Sequence, residues 1–455
     1  MFNHLVKKVL PKCAFRCTPR VWQHVRRRCC PPTNLDHTRT LLQLFVDRHF
    51  ISPGDNNVEL FKRGRGCNYG PLGTELRENV LHQWWRSMTG SRDQVFGINT
   101  PSCSTGSHDA ARGQWRYLAV TDPNNVANIL EGTELSREQL TQNVHMFLQT
   151  SPMLRTSLIP GSLEQFVPIF EMVNRKLPFG IAETGRCFQS SKDGDGCPAE
   201  VTQASLVWFC SSRTSSQWLD HWARQRLKWW RKFALAPSDF SSSDVSLDEL
   251  EGPTSRGLKI FYKFPWGQEP VEVLWSRGDS ELLQMHKEAR SKLQSRDGRK
   301  SIPHVVSITG NVNRGLLAFL SNSLQLHKRE DTKQKLQQRK VLKLHPLLAP
   351  VKVALGISRG ATMELRKVCE GLLQELKESK ISAWPGYLET SPSPMDQLNS
   401  KYDEMGVLFT AVISENTLES GLLQIRNRDT TIKETMHISE LKNFLCRYIS
   451  AADNM

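Results

Sequence analysis

At 455 residues and 51.9 kDa the chain is too long for one compact core, and two to three domains are expected. With 38% apolar and 23% charged residues, 28 Gly and 23 Pro, it is neither collagen-like nor disordered overall. A mean hydropathy of −0.44, with no apolar run of bilayer length, excludes a membrane span. Lys and Arg number 60 against 46 Asp and Glu, a net charge of +14, which suggests a polyanionic partner.

Much of that charge lies at the front. Residues 1–35 hold Lys7, Lys8, Lys12, Arg16, Arg20, Arg26, Arg27 and Arg28 and no acid, so the rest of the chain carries only about +6. A basic, acid-free start interspersed with Leu, Val, Phe and Trp reads as a mitochondrial transit peptide, drawn inward by a membrane potential that is negative inside. A basic arm that binds nucleic acid directly is the alternative. No unbroken apolar stretch follows the charges, which argues against a secretory signal. Cys13, Cys17, Cys29 and Cys30 fall in this segment. Cys67, Cys103, Cys187, Cys197, Cys210, Cys369 and Cys446 are scattered without a CxxC pair, as in a reducing compartment. Neither the cysteines nor the histidines show metal spacing, so no metal and no cofactor is expected.

Beyond it, Leu41, Leu42, Phe45, Val46 and His49 recur at helical spacing until Ser52-Pro-Gly-Asp55 breaks the run. Pro71 opens a helix with Leu72, Leu76, Val80, Leu81, Trp84, Trp85 and Met88 on one face. Residues 97–114 look like a loop. Over 121–160, Leu130, Leu135, Leu140, Val144, Phe147 and Leu148 lie on short helical patterns cut by prolines and a glycine. Such helices cannot bury their apolar faces alone. Packing on a second copy of the chain and packing on the parent domain are both consistent with the pattern.

From 162 to 320 the pattern is mixed: a helix at 163–173, strands at 201–210, 261–264 and 305–308, and polar, mobile stretches at 238–257 and 287–301. The helix at 216–234 carries Trp218, Trp222, Trp229 and Trp230 with Arg224, Arg226, Lys228, Arg231 and Lys232. An indole core beneath a solvated basic surface is favoured over an aromatic platform for bases, because stacking suits single strands. The charged, helix-prone stretch 327–343 serves as an interdomain connector. Its Lys328, Arg329, Lys333, Lys335, Arg339 and Lys340 are candidates for sequence-independent phosphate contacts, and an ordinary solvated helix face accounts for them equally well.

The last 110 or so residues read as strand 349–355, a helix with Leu365, Cys369, Leu372 and Leu376 on one face, strand 381–384, helix 396–405, strand 407–413, strand 422–426 and a final helix at 438–448. That alternation argues a three-layer α/β domain. It carries neither GxGxxG nor GxxxxGK[ST], so no nucleotide-binding loop is marked.

The segment Cys67-Asn-Tyr-Gly-Pro-Leu-Gly-Thr-Glu-Leu-Arg-Glu-Asn-Val80, ending in Trp84-Trp85, resembles motif 1 of glycyl-type class II aminoacyl-tRNA synthetases, the helix and strand of their dimer interface. Leu344-His-Pro-Leu-Leu-Ala-Pro-Val-Lys-Val-Ala354 onward resembles their anticodon-binding domain. The catalytic motifs depart from the pattern. Where motif 2 places an Arg on the α-phosphate of ATP, the stretch Gly185-Arg-Cys-Phe-Gln-Ser-Ser191 has Gln189, and Ala199-Glu200 stands where an Arg-Glu pair is usual. A lone Gln cannot replace the bidentate charge of Arg. Motif 3 is half kept in Gly310-Asn-Val-Asn-Arg314-Gly-Leu-Leu-Ala318.

Closer still, 217–233, Trp384-Pro-Gly-Tyr-Leu-Glu-Thr390, Lys401-Tyr-Asp-Glu-Met405 and Arg428-Asp-Thr-Thr431 resemble the accessory subunits of the mitochondrial DNA polymerase. The resemblance implies a non-catalytic processivity factor of the mitochondrial matrix, located with mitochondrial DNA in the nucleoid. It also implies a homodimer that binds the catalytic subunit and double-stranded DNA. The expected architecture is α/β and α+β. Transit peptide 1–35 precedes a class II synthetase-like antiparallel-sheet domain at 36–326 with a helical dimerisation insertion at 121–160. Connector 327–343 and an anticodon-binding-like α/β domain at 344–455 follow. Leu76, Val80, Leu140 and Phe147 are the dimer candidates; Trp384, Tyr387, Arg428 and Asp429 are the polymerase-binding candidates. A functioning mitochondrial glycyl-type synthetase, or an RNA-binding relic of one, is the alternative.

Overall fold

The computed structural model describes residues 34–52, 68–90, 94–104, 118–122, 124, 127, 136–189, 199–250, 254–295, 301–330, 336–358, 362–389 and 394–453. The expected transit peptide lies almost wholly outside them, as do Lys333, Lys335 and the middle of the 121–160 insertion.

Helix α1 (Asn34–Asp47) leads into α2 (Pro71–Trp85), which continues as a π-helical turn at Arg86–Gly90. Pro71 occupies the first turn of α2, as expected. Gly70 lies against the carbonyl of His49, so close that a Cβ there would fall 2.3 Å from it. After β1 (Val95–Gly97) come β2 (Cys103–Ser104), β3 (Leu118–Ala119), α3 (Arg137–Thr150) and β4 (Met153–Leu154), with β4 between β2 and β3 in a small antiparallel sheet. Helix α3 starts at a capping box between Ser136 and Gln139. Short helices α4 (Ile159–Glu164) and α5 (Phe166–Met172) follow.

The large sheet comprises β1, β5 (Phe179–Gln189), β6 (Ala199–Cys210), β7 (Phe240–Asp244), β8 (Arg256–Phe264), β9 (Gly267–Gly278) and β10 (His304–Asn311), in the order β1-β5-β6-β10-β9-β8-β7. It is antiparallel except for the β1–β5 pair. Between β6 and β7 lies α6 (Ser215–Lys232); α7 (Ser280–Met285) follows β9 and α8 (Val312–Ser323) follows β10. Each face of the sheet is covered. Phe179, Ile181, Val207 and Phe209 pack with Ile159 and Leu163 of α4 and Phe166 and Phe170 of α5 on one side. Ala182, Leu206, Trp208, Leu274 and Ile308 pack with α2, α6 and α8 on the other. That two-sided burial explains the nearly unbroken apolar end of β6. The stretch expected to be polar and mobile at 238–257 instead supplies edge strand β7 and the start of β8.

The expected helical connector is a β-hairpin, β11 (Leu324–Glu330) paired with β12 (Leu336–Leu342). Beyond it, β13 (Val353–Ile357), α9 (Met363–Glu378), β14 (Ala383–Trp384), α10 (Met395–Glu404), β15 (Phe409–Ile413), α11 (Glu415–Ser420), β16 (Leu422–Asn427), β17 (Lys433–His437) and α12 (Leu441–Asp453) form a mixed α/β unit with sheet order β14-β13-β15-β16-β17. One apolar cluster runs without interruption from Leu41 to Leu445 and joins this unit to the large sheet. Arg48 pairs with Glu404, Arg86 with Asp453, and the Asn79 amide donates to the Leu348 carbonyl at 3.2 Å across the same junction. Among the described residues no helix is long and apolar enough to cross a membrane.

Candidate functional site

The upper half of one sheet face is polar, and it is where the synthetase-like motifs fall. Register places Glu183 beside Ser205 and Gly185 beside Gln203, and β10 adds Thr309 and Asn311 opposite Ser205 and Gln203. Glu183 is fully buried. It accepts from the Thr100 amide at 2.8 Å and hydroxyl at 2.6 Å and from Arg155 Nη1 at 2.9 Å. Arg155 also donates to the Thr100 and Arg186 carbonyls. Its guanidinium lies over Gly185, where a Cβ would meet Nη2 at 2.1 Å. Thus the chain fills its own sheet face with an arginine that enters from just past β4. Burial pushes the neighbouring Cys187 thiol up to about 12, with Arg155 opposing and Glu183 reinforcing the rise, so the thiol is inert.

At the rim, Gln189 ends β5 opposite Ala199. Arg186 and Glu200 make an exposed ion pair at 3.4 Å, worth little in water. Asn311 caps α8 by accepting from the Arg314 amide, and Arg314 donates to the Pro270 carbonyl at 2.9 Å and faces Glu269 at 3.8 Å. The half-kept motif 3 arginine is therefore occupied within the chain. Gly315 behind it lets the Trp230 ring approach, since a Cβ would meet that ring at 2.4 Å.

On the opposite face, α6 buries Trp222, Trp229 and Trp230 with Trp218 packed beside them, the indole core that its spacing favours. Arg226, expected on a solvated basic surface, is only 2% exposed. Its Nε donates to both Glu272 carboxylate oxygens at 2.9 and 3.0 Å, Trp230 Nε1 donates to the same group at 2.7 Å, and the guanidinium stacks on Trp229. A lone buried cation would be prohibitive; Glu272 offsets it.

The basic hairpin holds the candidate phosphate contacts, but not all of them are available. Arg339 bonds Asp403, which also receives a bidentate contact from Arg426 at 2.9 and 3.0 Å. That corrects its place among the DNA candidates: it anchors the hairpin to α10. Lys340 is half-buried on β12. Lys328 and Arg329 lie on β11, and their side chains are outside the described residues.

Leu76 and Val80 are buried in the chain's own core at 0% and 2% exposure, which corrects their assignment to a subunit interface. Neither side chain leaves surface for a second copy to cover. Leu140 and Phe147 stand half-buried, seven residues apart on α3.

In the C-terminal unit Arg428 is 3% exposed and donates to the carbonyls of Leu342, Gly406 and Leu344 at 3.0–3.1 Å. This corrects its role from partner contact to clamp. Tyr387 is likewise buried. Trp384 donates to Glu389, which also binds Tyr402 and Lys401. Asp429 pairs with Arg428 at the loop surface, and Ile432 beside it is 57% exposed. A shallow cavity of about 260 Å3 opens there between Phe409, Ile425, Ile432, Phe444 and Tyr448. Sequence reasoning missed Arg155, Glu272 and Asp403; for Arg226 the signal was its position on the Trp222–Trp229 stripe.

A sheet of this topology with a mixed α/β unit behind it defines a class II synthetase-like protein with an anticodon-binding-like domain. A family model described as an anticodon binding domain matches residues 350–447. Over the whole length, the chain is 25% identical to a glycine–tRNA ligase of Streptomyces coelicolor, covering 90% of this chain and 98% of that one. Much nearer are proteins named DNA polymerase subunit gamma-2, from Mus musculus at 48% identity over 91% of each chain and from Bos taurus at 46% over 94% of this chain and 89% of that one. A Xenopus laevis relative, 46% identical over 91% of this chain and 88% of its own, carries the same name with the word mitochondrial. The chain belongs to the DNA polymerase subunit gamma-2 family.

Proposed function

We propose that this chain is the non-catalytic accessory subunit of the mitochondrial DNA polymerase, a homodimer that binds the catalytic subunit and duplex DNA in the matrix and slows release of the template. Family membership supports the partner. The observation that carries the non-catalytic part is the synthetase-like face itself: Arg155 and Glu183 fill it, and Gln189 stands where an arginine would grip the α-phosphate.

A body charge of about +6 is modest for holding DNA alone, and a few phosphate contacts give a Kd on the order of 10⁻⁴–10⁻⁶ M at physiological salt. Tethered to a polymerase already on the template, the same contacts act at an effective concentration of the order of millimolar. They then lengthen residence without reading sequence. The hairpin lysines are the candidate contacts. The tether is assigned to the C-terminal unit, at the loop bearing Asp429 and Ile432 and near Trp384. Dimerisation is assigned to the 121–160 insertion.

The decisive experiment is single-encounter primer extension by the catalytic subunit with and without this chain. Longer products with the chain are expected; unchanged length rejects the reading. Glycine-dependent pyrophosphate exchange above background would instead support an active synthetase.

A further inference from the structure

Away from the synthetase-like face, on the side of the large sheet covered by α6, a cavity of about 480 Å3 opens between the second half of α6 and the π-helical turn at Arg86–Gly90. Arg226, Lys228, Arg231 and Lys232 line it, and among the described residues no carboxylate does, although Arg226 pairs with Glu272 and Lys232 lies 3.6 Å from the Asp453 carboxylate. Two of these cations already have work elsewhere: Arg231 donates to the Phe240 carbonyl, and Lys232 donates to the Asp453 carbonyl at 2.6 Å. Lys228 and Gln225 are exposed at the mouth.

Arg226 is the unusual member. Its Nε is satisfied by Glu272, yet Nη2, shielded from solvent, has no acceptor among the described residues. Leaving a buried charged donor unmade is costly, and natural structures rarely tolerate it without a reason. Glu272 accepts from Arg226 Nε and Trp230 Nε1 and makes no bond to Nη2. Nη2 itself is closed to a solvent-sized atom, so an anionic oxygen in the cavity would meet Arg226 through the charge of the guanidinium that lines it and would lie among three more cations. The volume falls within the range of small-molecule sites and exceeds what a lone inorganic ion needs. Trp222, Trp229 and Met88 lend the cavity apolar walls.

We propose that this cavity binds a phosphate-bearing small molecule of the nucleoside phosphate class, its phosphate meeting Arg226 and Lys228 and its apolar portion resting on the tryptophan wall. Duplex DNA is a poorer occupant: Arg226 is buried, beneath the level a duplex backbone reaches from outside.

The test uses the full chain and calorimetric titration with ATP, inorganic pyrophosphate and adenosine. Saturable binding of ATP, weaker binding of pyrophosphate and none of adenosine are expected. Arg226 also pairs with Glu272, so its replacement risks the fold; the informative variant is the exposed double substitution Gln225→Glu with Lys228→Glu. It should retain the wild-type melting temperature and weaken ATP about tenfold or more, the size of one lost charge-assisted contact. The proposal is overturned by any of three results: no saturable binding at millimolar ATP, an affinity unchanged in the double variant, or adenosine binding as tightly as ATP. Displacement of ATP by short duplex DNA with the same loss in the variant would also overturn it, by assigning the cavity to the duplex surface.

Discussion

Asp403 shows how much of this molecule depends on single buried charges. Its carboxylate is 2% exposed and is shared by Arg426 and Arg339, so it ties β16 and the basic hairpin to α10. Asp403→Asn keeps the shape but leaves two guanidinium groups facing an amide. Breaking a buried pair from one side costs about 3–5 kcal/mol, so urea denaturation should show a loss of that order. Arg339→Gln should cost less, because Arg339 is 28% exposed. His345 offers a titratable counterpart. Burial lowers its pKa to about 4, helped by Lys232 and Lys352 and opposed by Asp453, while its Nδ1 accepts from the Leu347 amide at 3.3 Å. The folded chain therefore binds fewer protons than the unfolded chain between pH 4 and the ordinary histidine value near 6.5. Stability held above that window should be lost as pH falls through it, by an amount of order 1–3 kcal/mol. Comparing wild type with His345→Phe across pH 7 to 4 isolates the effect; parallel curves would show that His345 contributes none of the acid sensitivity.

Helix α3 carries the clearest prediction at the scale of an element. Leu140 and Phe147 lie on one stripe, exposed enough for a partner copy to cover. Leu140→Asp with Phe147→Asp should shift sedimentation from dimer toward monomer while melting stays cooperative; an unchanged dimer would place the interface elsewhere. Elements of this kind were legible because they carry a helical period, as α6, α9 and α12 do most strongly. The hairpin was not. Its Lys, Gln, Leu and Arg are good helix formers, but pairing of Leu324 with Leu342, and the Arg339 bond to Asp403 from 64 residues away, hold it extended. Strand β7, with the sequence FSSSD, shows no alternation to read, and in β9 the register shifts near Pro270 and blurs the period. The filled site was legible by half. Gln189 could be read from a motif, whereas Arg155 lies 28 positions before Glu183, with no spacing rule to link them.

The continuous core changes what can be asked of the whole molecule. Leu344, Leu348 and Val351 belong to the same apolar cluster as α2 and α8, so the C-terminal unit is not a module on a flexible connector. Deleting residues 345–455 would expose that core and abolish every activity at once. Point substitutions on its surface separate the roles instead. Ile432→Asp places a charge on an exposed loop residue beside the 260 Å3 cavity and should weaken association with the catalytic subunit without altering duplex binding. Substituting Lys333, Lys335 and Lys340 by Ala, with Arg339 spared as an anchor, should do the reverse. Each phosphate contact removed lowers the slope of log K against log salt by about 0.9, so as many as three contacts would be read directly from a salt titration. Primer extension should then distinguish the two variants: the lysine variant still joins the polymerase but gives shorter products as salt rises, while Ile432→Asp gives short products at every salt concentration. If the lysine variant detaches the polymerase, or keeps the wild-type salt slope, the proposed division between tether and DNA contact fails.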